Sequence, residues 1–190
     1  RRVDGGYLVS GKKVFSSQAP GGPVLVTAAV TEGPGAEIVS LTIPMSAPGV
    51  TMLDTWDAHG MRGTGSNDVL LVDVFIADAQ VGARRPIGRL DPLIRIALTN
   101  GITIITGVYL GLVQAARAEV IMKLAGRSDD PVLAREAGLV DYEYAAAKLA
   151  FEGALCRLGD DPEPTLENFQ LVQYAQHAVA EHGARAIDAA

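Results

Sequence analysis

Hydrophobic and polar positions follow two different spacings in the two parts of the chain. Up to about residue 85, short apolar runs recur at short intervals and are separated by turns rich in Gly and Pro. The last of these runs, residues 69–76, directly follows a glycine-rich loop at residues 60–65. Short strands joined by such turns, with no helical pattern between them, predict an antiparallel β-sandwich or barrel.

Two of the predicted strands carry more detailed expectations. Apolar residues 7–9 and 14–15 flank Ser10 and Gly11, which predicts a hairpin with its turn at these two positions. Residues 24–30 form a nearly continuous apolar run, which is typical of a central strand covered on both faces.

The period changes near Pro86, and the rest of the chain is predicted to be helical. Residues 93–116 are almost wholly apolar, with Arg95 as their only charge, and are long enough to cross a membrane. Their many polar residues, and the lack of an aromatic belt or basic flank, argue against a membrane span. A helix that is apolar on all sides is instead predicted to be buried against other helices or another subunit.

Two further helices have clear boundaries in the sequence. Asp130 followed by Pro131 predicts a helix start, and apolar residues then recur every three or four positions until Gly159 ends the pattern. Thr165 predicts the start of a third helix, which has no stop signal before the end of the chain. The predicted fold class is therefore α+β: an antiparallel β domain followed by an up-down helical bundle.

Composition narrows the possible partners. The 190 residues are 48% hydrophobic and 20% charged, which is typical of a globular protein of one domain or two small ones. A net charge of −6 argues against nucleic acid as a partner, because phosphate binding needs clustered Lys and Arg. Cys156 is the single cysteine and permits no internal disulfide, as expected for a reducing, cytoplasmic location.

The glycine-rich loop does not match the common phosphate-binding motifs. Gly60 and Gly65 have the spacing of a P-loop, but the lysine that would meet the phosphate charge is missing. A dinucleotide fingerprint fails because Asp68 occupies the place of its last glycine and a strand follows. The loop is predicted to be structural, a tight connection that needs positive φ. His177 and His182 are five residues apart on different helix faces, so no metal site is predicted.

Two segments nevertheless resemble one known family. Residues 11–18, GKKVFSSQ, and residues 56–78, with their Gly-Met-Arg-Gly-Thr-Gly-Ser run, are similar to the middle β domain of the acyl-CoA dehydrogenase superfamily. The resemblance implies a β domain at 1–86 and a helical bundle at 87–190, truncated before its last helix. It also implies FAD as cofactor, with Phe15, Ser16 and Ser17 at positions that contact the flavin ring.

The resemblance implies an activity as well. The expected reaction is α,β-dehydrogenation of an acyl-CoA thioester in fatty acid metabolism, by a cytoplasmic homo-oligomer, either dimer or tetramer, with no membrane partner. Phe15 where the family has Trp, and Ser16-Ser17 where it has Ile-Thr, are also similar to the flavin monooxygenase branch, which is the alternative. A non-catalytic structural subunit or fragment is the third possibility.

Several family features are absent from the sequence. Ile94 precedes Arg95 where some family members carry the catalytic base, so no catalytic residue is assigned. Arg127 matches an arginine that contacts the FAD pyrophosphate, but residues 133–137 lack the accompanying Gln. The chain is therefore expected to be incomplete, and by itself to hold FAD weakly and not to oxidise acyl-CoA.

Overall fold

The computed structural model describes residues 1–124 and 129–190. These residues form two compact units, Arg1–Arg89 and Leu90–Ala190. The first unit contains strands and the second contains helices, so the predicted fold class is correct. Arg127, the predicted pyrophosphate contact, lies outside the described residues.

The first unit is a sandwich of two antiparallel sheets. One sheet has the order β1-β2-β6-β5 and the other the order β3-β4-β7. Two short 3₁₀ turns, Arg62–Thr64 and Asp78–Gln80, are the other regular elements of this unit. The strands are β1 (Arg2–Val3), β2 (Gly6–Lys13), β3 (Val24–Val30), β4 (Glu37–Pro44), β5 (Val50–Met52), β6 (Val69–Ala77) and β7 (Val81–Pro86).

A single apolar core lies between the two sheets. Successive side chains of a strand point to opposite faces, so alternate residues of β2, β4 and β6 reach this core. Its most deeply buried members include Leu41 and Ile43 on β4, and Val69, Val74 and Ile76 on β6.

The predicted hairpin at Ser10 and Gly11 is wrong. Both residues lie inside β2, which pairs with β6 over most of its length and not with residues 14–15. The register shifts between Val9 and Gly11, so the local turn signal marks a β-bulge. Pairing with a strand about 60 residues away along the chain overrides the short-range turn propensity.

The prediction for β3 is also wrong in one respect. The strand exists, but it pairs only with β4 and is an edge strand of its sheet. Its side chains alternate between half-buried and exposed, with Val24, Val26 and Val30 on the exposed face. The continuous apolar run therefore reflects an edge strand with an apolar outer face, and not a strand covered on both sides.

The second unit consists of α1 (Pro92–Leu124), α2 (Pro131–Leu158) and α3 (Leu166–Asp188). The predicted boundaries are confirmed by their caps. The Asp130 carboxylate accepts hydrogen bonds from the backbone N–H groups of Val132 and Leu133. Gly159 ends α2 with φ 68°, and the Thr165 hydroxyl accepts from Asn168 N at 3.1 Å to begin α3.

One face of α1 packs in the helical unit and the other is exposed. Thr99, Thr106 and Val113 recur every seven residues along α1 and are buried. Only 17% of the most apolar stretch of α1 is buried, so the expectation of burial on all sides is not met within this chain. By length and composition alone α1 could cross a membrane, a property it shares with core helices of soluble proteins.

Candidate functional site

The two motifs identified in the sequence form one structural unit. We call residues 14–19 the cleft segment and residues 64–68 the support segment. The pairing of β2 with β6 ends at Lys13 opposite Val69, and beyond this point the two segments continue side by side. Four contacts join them: Phe15 N to Asp68 Oδ1 (3.4 Å), Ser16 N to Asn67 O (3.1 Å), Ser17 Oγ with Ser66 Oγ (3.1 Å) and Gln18 N to Thr64 O (2.7 Å).

The cleft segment has a strained backbone. Phe15 has φ 53° and Gln18 has φ 63°, the left-handed region that is unfavourable for a side chain of this size. Each such residue costs about 1–3 kcal/mol and persists only where its surroundings hold it. Here the support segment holds it by accepting hydrogen bonds from Ser16 N and Gln18 N, with a longer contact to Phe15 N.

The support segment is itself fixed by residues 53–56. Asn67 is only 8% exposed, and its Oδ1 accepts hydrogen bonds from Thr55 N at 2.9 Å and Trp56 N at 2.8 Å. The backbone N–H of Asp68 donates to the Thr55 hydroxyl at 2.9 Å. Residues 53–56 therefore hold the support segment, which in turn holds the cleft segment.

The glycine-rich loop supplies the bend at the start of the support segment. Gly65 has φ 51°, which confirms at this position the predicted need for positive φ. A Cβ at Gly65 would lie 3.1 Å from Pro20 Cδ, so the loop also packs closely on the residue that follows the cleft segment.

A charged pair lies where β2 ends. The side chain of Asp68 is 13% exposed, and Lys12 Nζ lies 2.6 Å from its Oδ2. The hydrogen bond from Lys12, and then the Phe15 N–H, lower the pKa of Asp68, while partial desolvation opposes the shift. Asp68 is therefore a carboxylate at neutral pH, which suits it to accept from both groups.

Two aromatic rings meet beside this network. Phe15 is 71% exposed, and its ring packs edge-to-face with Trp56 at a centroid distance of 6.1 Å. The indole Nε1 of Trp56 is buried without a hydrogen-bond partner among the described residues. Trp56 is the only tryptophan in the chain, so its optical signals report on this pair alone.

The cleft segment forms one wall of a cleft of about 700 Å³. This volume lies in the range that holds cofactors and other small ligands. Its lining is amphipathic: Phe15, Val26 and Met45 are apolar, Ser16 and Ser17 carry hydroxyls, and Lys12 and Lys13 are cationic. Lys13 Nζ also donates to Ala28 O at 2.6 Å, which links β2 to the edge strand β3.

The structure thus brings together all three residues predicted to contact a cofactor. Phe15, Ser16 and Ser17 line the same cleft. Sequence reasoning missed Asn67 and Asp68, although short polar side chains after a glycine turn are known to bond to nearby backbone. Among the described residues, no group of three or more His, Cys, Asp or Glu is arranged to hold a metal ion.

In the helical unit, Arg95 and the preceding Ile94 both make structural hydrogen bonds. Arg95 donates from Nε to Pro164 O and from Nη1 to Leu90 O, both at 2.7 Å. Asp91 Oδ1 accepts from Ile94 N at 2.9 Å at the start of α1. The sequence analysis also missed a contact between helices: His182 Nδ1 lies within hydrogen-bond distance, 2.6 Å, of Glu143 Oε2, between α3 and α2.

Comparison with curated proteins gives nitrososynthases, monooxygenases and a putative acyl-CoA dehydrogenase as relatives. No family model matches the chain. The chain is 33% identical, over 97% of its length, to L-evernosamine nitrososynthase from Micromonospora sp., and covers 47% of that protein. It is 30% identical, over 99% of its length, to the amino sugar nitrososynthase DnmZ from Streptomyces peucetius, and covers 49% of it. The chain thus spans about half the length of these curated relatives.

Solved structures also match nearly the whole chain and about half of their own length. A structure of KijD3 in complex with FMN and dTDP-3-amino-2,3,6-trideoxy-4-keto-3-methyl-D-glucose matches with a TM-score of 0.81 and 28% identity. This match covers 98% of the present chain and 49% of KijD3. An acyl-CoA dehydrogenase from Slackia heliotrinireducens matches over the whole chain, and over 51% of its own length, with a TM-score of 0.73. Its identity is 19%, so that likeness concerns the fold alone.

These relatives correct the predicted activity. The expected acyl-CoA substrate and role in fatty acid metabolism are not supported, since the two curated relatives named above are nitrososynthases. The monooxygenase alternative fits them better than the dehydrogenase. The chain therefore has the acyl-CoA dehydrogenase-like fold, and its sequence is similar to that of the nitrososynthases.

Proposed function

We propose that the chain is part of a flavin-dependent monooxygenase that oxidises the amino nitrogen of a nucleotide-linked amino sugar. The cleft beside Phe15, Ser16 and Ser17 would contact the flavin ring. The observation that carries the cofactor assignment is the exposed Phe15 ring, held in a strained conformation at the wall of a 700 Å³ cleft. The substrate class rests on the similarity to the nitrososynthases.

The residues of the cleft fit a flavin. A flat isoalloxazine ring needs an apolar neighbour and a few hydrogen-bond donors at its polar edge. Phe15 offers the apolar surface, and the hydroxyls of Ser16 and Ser17 lie next to it in the same wall. Lys13 adds positive charge to the same cleft, which favours an anionic cofactor, whereas the charge of Lys12 is paired with Asp68.

The start of α1 offers no base for dehydrogenation at one of the two family positions. Dehydrogenation needs a base for the substrate α-proton, and Ile94 in one family position for that base cannot take a proton. When bound, a reduced flavin supplies two electrons for the cleavage of dioxygen, with one oxygen atom inserted at nitrogen and the other leaving as water. This chain's contribution is to hold and orient the ring through the cleft segment.

Flavin binding by the 190-residue chain tests the cofactor assignment. FMN and FAD are titrated separately, since FAD is the predicted form and KijD3 holds FMN, and quenching of Trp56 emission is followed. We expect weak but saturable binding, because the two or three hydrogen bonds available contribute only about 0.5–1.5 kcal/mol each. Phe15→Ala and Ser17→Ala should weaken it.

Phe75→Ala is the matched control, because Phe75 is exposed on β6 and does not line the cleft. Equal weakening by Phe75→Ala, or no effect of Phe15→Ala, would contradict the site. The substrate class is tested in a longer form of the protein, with reduced flavin, dioxygen and a dTDP-linked amino sugar. Mass spectrometry should detect oxygen added to the amino sugar relative to the substrate. In a separate assay, acyl-CoA should not reduce the flavin. The cytoplasmic location and homo-oligomeric state remain predictions.

A further inference from the structure

Asn67 bonds to Trp56 and to Ser16, the residue that follows Phe15 in the Phe15–Trp56 ring pair. Its backbone carbonyl accepts from Ser16 N at 3.1 Å, next to Phe15 in the chain. Its side-chain Oδ1 accepts from Trp56 N at 2.8 Å and from Thr55 N at 2.9 Å. One residue therefore ties together two segments that lie about 40 residues apart in the sequence.

The burial of Asn67 makes these hydrogen bonds strongly constraining. Asn67 is 8% exposed and Trp56 is half-buried, whereas Thr55 is exposed. Leaving the N–H of Trp56 without a partner in this setting is more costly than the net gain from forming its bond. Residues 55–56 are thereby fixed relative to the support segment, and the indole of Trp56 is fixed with them.

Phe15 has few other restraints. Its φ of 53° is unfavourable, and its ring is largely exposed apart from the contact with Trp56. Its own N–H reaches Asp68 Oδ1 only at 3.4 Å, near the outer limit for a hydrogen bond. The shorter bond of the following residue to Asn67 O and the edge-to-face contact with Trp56 therefore fix the orientation of the ring. The first uses the backbone carbonyl of Asn67, and the second depends on its side chain, which holds the Trp56 backbone.

We propose that Asn67 is a positioning residue for the flavin site, setting the orientation of the Phe15 ring through Ser16 on one side and Trp56 on the other. This proposal rests on the proposed flavin site, but the ring pair itself can be observed without flavin. Asn67 does not line the cleft and is not a catalytic residue.

The test compares Asn67→Ser, Asn67→Asp and wild type. A serine hydroxyl is too short to reach both N–H groups, whereas aspartate keeps an acceptor oxygen in the same place. Without flavin, Asn67→Ser should lose near-UV ellipticity of Trp56 and gain accessibility to acrylamide, and Asn67→Asp should retain most of both signals. In a flavin titration, Asn67→Ser should bind roughly tenfold more weakly, the factor expected for losing about one hydrogen bond.

Two controls separate positioning from general loss of stability. Ile43→Val removes one methyl group from the core of the same unit and should leave Trp56 and flavin binding unchanged. In a Phe15→Leu background, Asn67→Ser should weaken flavin binding little further, because the ring it positions is gone.

The outcomes are distinct. Additive effects of Phe15→Leu and Asn67→Ser, or wild-type Trp56 signals in Asn67→Ser, would overturn the positioning role. If wild type binds no flavin, the proposed function fails, and the Trp56 signals of Asn67→Ser and Asn67→Asp still decide the role of Asn67 at the ring pair.

Discussion

Gly183 allows α3 to approach α1, and replacing it tests the packing of the helical unit. A Cβ at Gly183 would lie 2.7 Å from Val113 Cγ2, far inside the contact distance of two carbon atoms. Val113 is buried, and as a β-branched residue in a helix it has one strongly preferred rotamer. Gly183→Ala therefore forces the two helices apart instead of turning one side chain aside.

The expected change in the free energy of unfolding is the sum of two opposing effects, helix propensity and overpacking. Alanine is more favourable than glycine in a helix interior by about 1 kcal/mol. Overpacking of a buried contact costs about 1–3 kcal/mol, and the short distance and stiff partner favour the upper part of that range. Gly183→Ala should therefore destabilise the helical unit by about 1–2 kcal/mol.

Gly153→Ala is the matched control on α2. A Cβ at Gly153 has no atom within 4 Å, so only the helix term remains and the chain should gain up to about 1 kcal/mol. Urea unfolding followed by helical ellipticity at about 222 nm measures both variants, because the helices of the second unit dominate this signal. Adding Val113→Ala should partly rescue Gly183→Ala. If Gly183→Ala is as stabilising as Gly153→Ala, the α1–α3 contact is not the one described.

Three further changes have defined outcomes. Asp130→Ala removes the N-cap of α2 and should cost about 1 kcal/mol in urea unfolding, whereas Asp129→Ala, one residue earlier and exposed, should cost little. Gly49→Ala should cost more than about 2 kcal/mol, because φ is 86° and a Cβ would meet Val72 O at 2.2 Å; a near-neutral result would contradict the close approach of Gly49 to β6. Asp68 has a lowered pKa in the folded protein. Its carboxylate therefore contributes to the free energy of unfolding above the unfolded-state pKa of about 3.9, and this contribution is lost as the pH falls through the folded-state pKa. The stability difference between wild type and Asp68→Asn in the first unit should therefore shrink from pH 7 to pH 3, and a constant difference would show that the charge of Asp68 is not involved.

Much of the secondary structure is determined locally and could be predicted from the sequence. The caps at Asp130 and Thr165 and the stop at Gly159 depend on bonds between residues a few positions apart, so the sequence displays them directly. The change from short apolar runs to helical spacing near Pro86 likewise indicated an antiparallel β-sandwich followed by helices. The family resemblance added the correct fold, and the similar nitrososynthases fit its monooxygenase alternative better than its main reading.

The pairing of distant segments was decided only by the tertiary structure. Ser10 and Gly11 have the local character of a turn, but the register with β6 makes them a bulge within one strand. The apolar run of β3 does not reveal whether zero, one or two faces are covered, because coverage depends on which strands pair with it.

The candidate site shows the same division most clearly. The sequence by itself determined its components: an aromatic residue and two serines at 15–17, and a glycine-rich loop at 60–65 that needs positive φ. That these two motifs form one network, with Asn67 and Asp68 between them, was decided only when β2 and β6 paired. Hydrogen bonds between backbone groups about 50 residues apart leave no periodic pattern in the sequence, because any residue except proline can donate and every residue can accept them.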